Sequence, residues 1–241
     1  MNILVLAPHT DDGELGCGGT ISKLCRRGDK VRYIAFSHMY RYGKKAAFTD
    51  LTNECRAAMK ILGVTDYKIL DFEARNFTRD RQDILDFMIE ERDEFNPQMV
   101  FIPMSCDFHQ DHQTIAQESI RAFKYSTLLG YEIIWNNQNP TLNVFIDIDK
   151  SDVEAKEKAL LQYKSQSNRP FYGAGVLKAL ARVRGVQTGV KFAEAFEAIR
   201  VKMQLGFMEK SNSDLSEPWL ARTRSITVAD TDQLILNGKN L

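Results

Sequence analysis

The chain has 241 residues, 44% of them hydrophobic and 27% charged, enough to bury a full core and too balanced for a disordered chain. Lys plus Arg and Asp plus Glu are 32 each, so the formal net charge is zero and the basic footprint of a general nucleic-acid binder is missing. No apolar run approaches the roughly 20 residues of a membrane-spanning helix, and Cys17, Cys25, Cys55 and Cys106 form no CxxC pair, so the expectation is a cytoplasmic protein with buried, reduced thiols.

In chain order, Ile3 to Ala7 is a short continuous apolar run, the mark of a strand buried on both faces, and a helical pattern follows from about Glu14 to the Gly28-Asp29 stop. Lys30 to Phe36 predicts a second strand, and Asp50 to Leu62 a helix stopped by Gly63. A strand near Lys68 to Phe72, a charged helix from Arg79 to Phe95 ended by Asn96-Pro97, and a strand at Met99 to Pro103 continue the alternation. Next come a helix at about Gln113 to Leu129 and two β-like runs, Tyr131 to Trp135 and Asn143 to Ile148, split by the turn-rich Asn136 to Pro140. A capping box from Ser151 to Glu154 opens another helix, Asn168 to Gly175 is loop, and Val176 to Arg184 is helical. Strands alternating with helices imply an α/β fold of three layers, a mostly parallel sheet covered on both faces with a C-terminal β/α appendage. The organisation is a single domain over 1–241, with 200–241 as a C-terminal extension.

Three of the four histidines fall in two clusters, His9-Thr10-Asp11-Asp12 after the first strand and His109-Gln110-Asp111-His112 after the fourth. In an open parallel sheet the loops at the carboxyl ends of strands share one edge, so residues a hundred apart converge there. His9 and Asp12 are three apart, as are His109 and His112, which turns each pair toward a common side. Two imidazoles and a carboxylate are a catalytic zinc set with one position left for water. Asp11, offset by one residue from a ligand, can take the proton of that water as general base. His109 would sit opposite as a protonated imidazole stabilising an oxyanion, and Asp111 is placed to hold His109 or His112 in the right tautomer.

These residues resemble a known family. Pro8 to Thr20 (PHTDDGELGCGGT) resembles the AHPDDxExGxGGT opening of the LmbE-like, or PIG-L, zinc-dependent N-deacetylases, and Asp107 to His112 (DFHQDH) is similar to their DxHxDH motif. Glu54 to Gly63 and Phe192 to Phe196 also resemble family positions. The resemblance implies a Rossmann-like fold in which His9, Asp12 and His112 bind Zn2+, with Fe2+ as the other candidate, Asp11 is the base, and His109 assists at the oxyanion or leaving amine. The implied reaction removes acetyl from an N-acetyl amino sugar; a homo-oligomer is a separate expectation. The sequence departs from the family at Thr10, at Leu51 where many members carry Arg, and at Ser37 to Tyr40, positions on the substrate side.

Other readings of the same residues are a non-haem Fe(II) oxygenase using Asp11 as the carboxylate ligand, an amidohydrolase acting on a non-sugar N-acyl substrate, and a metal-holding sensor without catalysis. A dinucleotide loop fails, because Ile21 stands where the third glycine of GxGxxG belongs, and the glycines read instead as a tight turn beside the metal. Arg41, Lys44 and Lys45 offer a basic loop for a phosphate-bearing substrate, His38 is a pocket wall or an ordinary strand terminus, and Trp135, Phe171, Tyr172 and Trp219 are candidates for stacking on a sugar.

Overall fold

The computed structural model describes residues 1–41, 48–169 and 175–203. Strand β1 (Asn2–His9) is buried at all six interior positions. It leads through a two-residue turn into helix α1 (Asp12–Arg26) and strand β2 (Lys30–Ser37). A short antiparallel hairpin, β3 (Met39–Arg41) and β4 (Phe48–Asp50), precedes helix α2 (Thr52–Leu62), which Gly63 ends in the left-handed region at φ 81°. Strand β5 (Asp66–Ile69), helix α3 (Arg81–Phe95), strand β6 (Met99–Pro103), helix α4 (Gln110–Ala122) and strand β7 (Thr127–Tyr131) follow. Strand β8 (Val144–Asp147), helix α5 (Lys150–Leu160), a 3-10 turn (Lys164–Gln166), helix α6 (Val176–Thr188) and strand β9 (Ala193–Arg200) complete the described elements.

The main sheet runs β5-β2-β1-β6-β7-β9-β8. Its first five strands are parallel, and β9 runs antiparallel to both β7 and β8. The mostly parallel α/β expectation is met, and the three-layer packing follows from the period of two along a strand. On β1, Ile3, Val5 and Ala7 point into the cluster that includes α1, α2 and α5 side chains, while Leu4 and Leu6 point into the one with α3 and α4. Each fully buried aliphatic side chain contributes about 1.5–3 kcal/mol, so a strand apolar on both faces is stable only between two helical layers.

Several local expectations are corrected. The helix placed at Gln113 to Leu129 runs from Gln110 to Ala122, and Thr127–Tyr131 is instead a strand buried at every position. Only Tyr131 of the run placed at Tyr131 to Trp135 belongs to that strand. A short apolar run reads equally as buried helix or buried strand, and here pairing with β6 decides. The capping box lies two residues earlier than expected, with Asp149 as N-cap and Asp152 at the third helical position. Strand β9 was not expected: its first four residues are buried on both faces, Glu194 among them, so polarity does not mark an inner face. Cys17 and Cys55 are buried as expected, whereas Cys25 and Cys106 are half-exposed and Cys106 lies in a loop.

The glycines of α1 serve close packing rather than a tight turn. A Cβ at Gly13 would come within 2.5 Å of the Tyr33 ring, and one at Gly16 would enter the ring of Tyr131. At Cys17 the helix breaks (φ −141°, ψ 27°), and beyond the break the amides of Gly19 and Thr20 donate to Glu194 at 3.0 and 2.7 Å. Lys156 Nζ, also buried, donates to the same carboxylate at 2.7 Å. The amides orphaned by the break are thereby satisfied from β9. No helix among the described residues is long and apolar enough to cross a membrane. Residues 204–241, the basic Lys44 and Lys45, and Phe171, Tyr172 and Trp219 lie outside the described residues.

Candidate metal centre

Parallel pairing of β1 with β6 puts their carboxyl ends side by side, so the two histidine loops open on one sheet edge. His9 is the last residue of β1, Asp11 is the N-cap of α1, and Asp12 is its first residue. His109 is the N-cap of α4, with Asp111 and His112 in the first turn.

Asp12 Oδ2 stands 3.0 Å from His9 Nδ1 and 3.1 Å from His112 Nε2. The far nitrogen of each imidazole faces a second carboxylate: His9 Nε2 is 3.0 Å from Asp111 Oδ2, and His112 Nδ1 is 2.8 Å from Asp107 Oδ2. His9, Asp12 and His112 each offer a ligand atom within 4.8 Å of the others, as do His9, His109 and Asp111. Asp11 belongs to neither group.

Charge reinforces this geometry. Burial alone would lower the pKa of His9, but hydrogen bonds to Asp111 and Asp12 outweigh it and hold it at about 9. Burial is likewise overcome at His112, where the Asp12 charge and the bonds to Asp107 and Asp12 hold the pKa at about 10. Burial would raise Asp12, yet the two imidazoles keep it well below the usual carboxylate range. A site that gathers two protonated imidazoles on one carboxylate is built for positive charge, and a divalent ion exchanges for those protons. The donor set fits such an ion: two imidazole nitrogens and a carboxylate oxygen, both rings oriented from behind by carboxylates.

His109 departs from expectation. Burial, then His112 and His9, lower its pKa to about 4, so it is neutral near neutrality rather than an imidazolium. The Asp111 amide donates to His109 Nδ1 at 3.2 Å, which leaves the ring proton on Nε2. Asp111 was expected to orient His109 or His112; its carboxylate instead meets His9 and accepts the Arg75 amide at 2.6 Å. The partner of His112 is Asp107, a residue whose part the spacing of the histidine clusters does not reveal. Its two oxygens also take the His109 amide at 2.8 Å and the Asn136 side chain at 3.5 Å. The sequence signal for it was an acid just before the helix that carries His112.

The histidines and Asp12 line a cavity of about 320 Å³ that also reaches Asp11, Ser37, Leu51, Trp135, Asn136 and Arg169. His38 does not line it; its Nδ1 lies 3.0 Å from the Leu70 carbonyl, the ordinary strand-terminus reading. Glu14 is wholly buried against the hydroxyls of Tyr33 and Tyr163, which also reach the Thr10 carbonyl. Burial pushes its pKa up to about 8 against hydrogen bonds from both tyrosines.

Comparison with known proteins agrees with this arrangement. Residues 4–123, which include both histidine loops, match the family described as PIG-L: GlcNAc-PI de-N-acetylase. The chain is 30% identical over 173 residues to the uncharacterized deacetylase YaiS of Escherichia coli (strain K12), spanning 68% of this chain and 90% of that one. It is 27% identical over 227 residues to the diacetylchitobiose deacetylase of Thermococcus kodakarensis, 82% of each chain. Among solved structures, the conserved protein TT1542 from Thermus thermophilus superposes with a TM-score of 0.69 at 26% identity, covering 85% of this chain and 97% of that one.

Proposed function

The chain belongs to the PIG-L family of de-N-acetylases, and from that premise we propose that it hydrolyses the acetamide of an N-acetylated amino sugar at a divalent metal held by His9, Asp12 and His112. The observation that carries the reading is the convergence of His9 Nδ1 and His112 Nε2 on one oxygen of Asp12, each ring backed by its own carboxylate. Zinc, or ferrous iron as the alternative ion, supplies Lewis-acid polarisation of a water and of the acetyl carbonyl when bound there.

The protein's own groups divide the remaining work. Asp11, at the cavity wall beside Asp12, takes one proton from the attacking water. His109 donates its Nε2 proton in a hydrogen bond to the acetyl oxygen as negative charge gathers on it, a role that a neutral ring fills. When the C–N bond breaks, the proton held by Asp11 passes to the departing nitrogen, leaving a free amine and acetic acid, whose proton is then lost to the amine or to solvent to give acetate. Asp107 and Asp111 keep the two metal-binding rings in register.

A cavity of about 320 Å³ suits one sugar ring. Trp135 offers it an aromatic face and Asn136 and Ser37 polar contacts, with Arg169 set to meet an anionic aglycone such as a phosphate. A cytoplasmic homo-oligomer completes the proposal. An oxygenase is disfavoured, since it needs Asp11 as a ligand and Asp11 lies outside both donor groups. The test is acetate release by the metal-loaded protein from N-acetylglucosamine, diacetylchitobiose, a phosphorylated N-acetylglucosamine and N-acetyl amino acids. Turnover of the sugars supports the proposal; turnover of the amino acids alone transfers it to a non-sugar amidohydrolase.

A further inference from the structure

The Thr10 carbonyl belongs to the peptide that links Thr10 to Asp11, one residue beyond His9, and two tyrosine hydroxyls from distant segments converge on its oxygen. Tyr33 of β2 approaches it at 3.0 Å, and Tyr163, which follows α5, at 2.6 Å. Both hydroxyls also meet Glu14 in the first turn of α1, Tyr163 at 2.6 Å from Oε1 and Tyr33 in a short hydrogen bond with Oε2. All three side chains are buried to 1% exposure or less, and none lines the cavity. The proposed chemistry uses none of them.

Burying a carboxyl and two phenols is costly unless their hydrogen bonds are well made, and here the two phenols are shared between one backbone oxygen and the Glu14 carboxyl. A planar peptide moves as a unit, so a carbonyl pinned from two sides also fixes the amide that begins Asp11. The bare Cα of Gly13 leaves the space through which the Tyr33 ring reaches this point; a Cβ there would stand 2.9 Å from the hydroxyl. We infer that Glu14, Tyr33 and Tyr163 are positioning residues that clamp the Thr10 carbonyl and so aim the Asp11 carboxylate relative to His9 and Asp12. The catalytic consequence rests on the deacetylase reading, whereas the clamp itself does not.

The test uses the full chain, metal-loaded, with Tyr163→Phe and Tyr33→Phe. Both variants keep the ring and lose only the hydroxyl, and either suffices if the other fails to fold. Hydrogen exchange of the amides from Thr10 to Glu14 should quicken on the order of tenfold while β6 and β7 exchange as in the parent, a local opening distinct from global unfolding. Acetate release should lose on the order of 10- to 100-fold in kcat with KM and metal content held within about twofold, since a misplaced group is felt in the reacting geometry. Glu14→Ala should behave likewise, and Glu14→Gln, which keeps an acceptor and a donor, should recover most of that loss. Parental exchange over these residues, or a rise equal to that of the whole sheet, overturns the clamp. Quickened local exchange with full parental kcat overturns its catalytic role. A parent that releases no acetate from any N-acetyl sugar refutes the deacetylase reading alone, and the exchange data then decide the clamp by themselves.

Discussion

Asp12 is the meeting point of two imidazoles, each with an acid behind it, so five side chains behave as one unit. Replacing His9, Asp12 or His112 with Ala should strip the ion, measured as metal per chain by elemental analysis. Asp11→Asn should retain it and the fold while lowering kcat by about 10² or more, the usual size of a general-base contribution. The reverse pattern, an Asp12→Ala protein that keeps its metal and an Asp11→Asn protein that loses it, would exchange the two roles. Asp107→Asn and Asp111→Asn should each weaken metal affinity by roughly 10- to 100-fold, because an amide orients an imidazole less firmly than a carboxylate does. The histidines, Asp11 and Asp12 were legible in the sequence because they cluster beside strand ends. Which acid holds which ring was not, since Asp107 and Asp111 lie four residues apart around His109; Asp111 meets His9 only because β6 docks beside β1, whereas Asp107 meets His112 locally.

At the scale of elements, α1 is set by what its glycines lack. Gly16→Ala would drive a methyl into the Tyr131 ring, whose hydroxyl donates to the Leu6 carbonyl at 3.0 Å, so neither side yields easily. The substitution should destabilise the fold by about 1–3 kcal/mol, read as a lower urea midpoint with an unchanged slope. The turn after α5 is tied to α2, where Glu54 accepts from the Ser165 amide at 3.0 Å and its hydroxyl at 2.6 Å, and four residues later it brings Arg169 to the cavity. Arg169→Ala should raise KM for a phosphorylated N-acetylglucosamine more than for the uncharged sugar with kcat little changed, as loss of uniform binding requires. Equal kinetics on both sugars would remove Arg169 from substrate recognition. The periodicity located β1, β2, α2, α3 and β6 well, because each is a continuous apolar or amphipathic run closed by a stop signal. It failed at Thr127–Tyr131, where no Gly or Pro separates the end of α4 from a strand whose sole identifying feature is its neighbour.

At the scale of the whole molecule, the buried ionisable groups give the metal-free protein an asymmetric pH profile. His9 and His112 are raised to about 9 and 10 from 6.5, so their contribution is complete below pH 6.5 and is lost as pH climbs through those values. Glu14, raised from 4.5 to about 8, also favours the folded state at low pH and loses that contribution between those two values. His109, lowered to about 4, acts in the opposite sense between 4 and 6.5, while Asp12 and Asp111, both lowered, lose their contribution in acid. The melting temperature of chelated protein should therefore be level between about pH 4.5 and 6.5, fall above it, and fall again in acid. Added Zn2+ should lift the alkaline limb most, because the ion replaces the protons of His9 and His112; an alkaline limb indifferent to metal would remove these rings from the ligand set. By itself, the sequence determined the α/β class, the two histidine loops and the kind of chemistry they carry, because apolar periodicity and residue type are local properties that survive any reading frame of contacts. The tertiary structure alone decided the antiparallel β9, the Asp111–His9 pair, and the grip of Tyr33 and Tyr163 on the Thr10 carbonyl. Each of these joins a polar group to a partner far away in the chain, and a buried polar group's partner is fixed by where the layers pack and not by its neighbours in sequence.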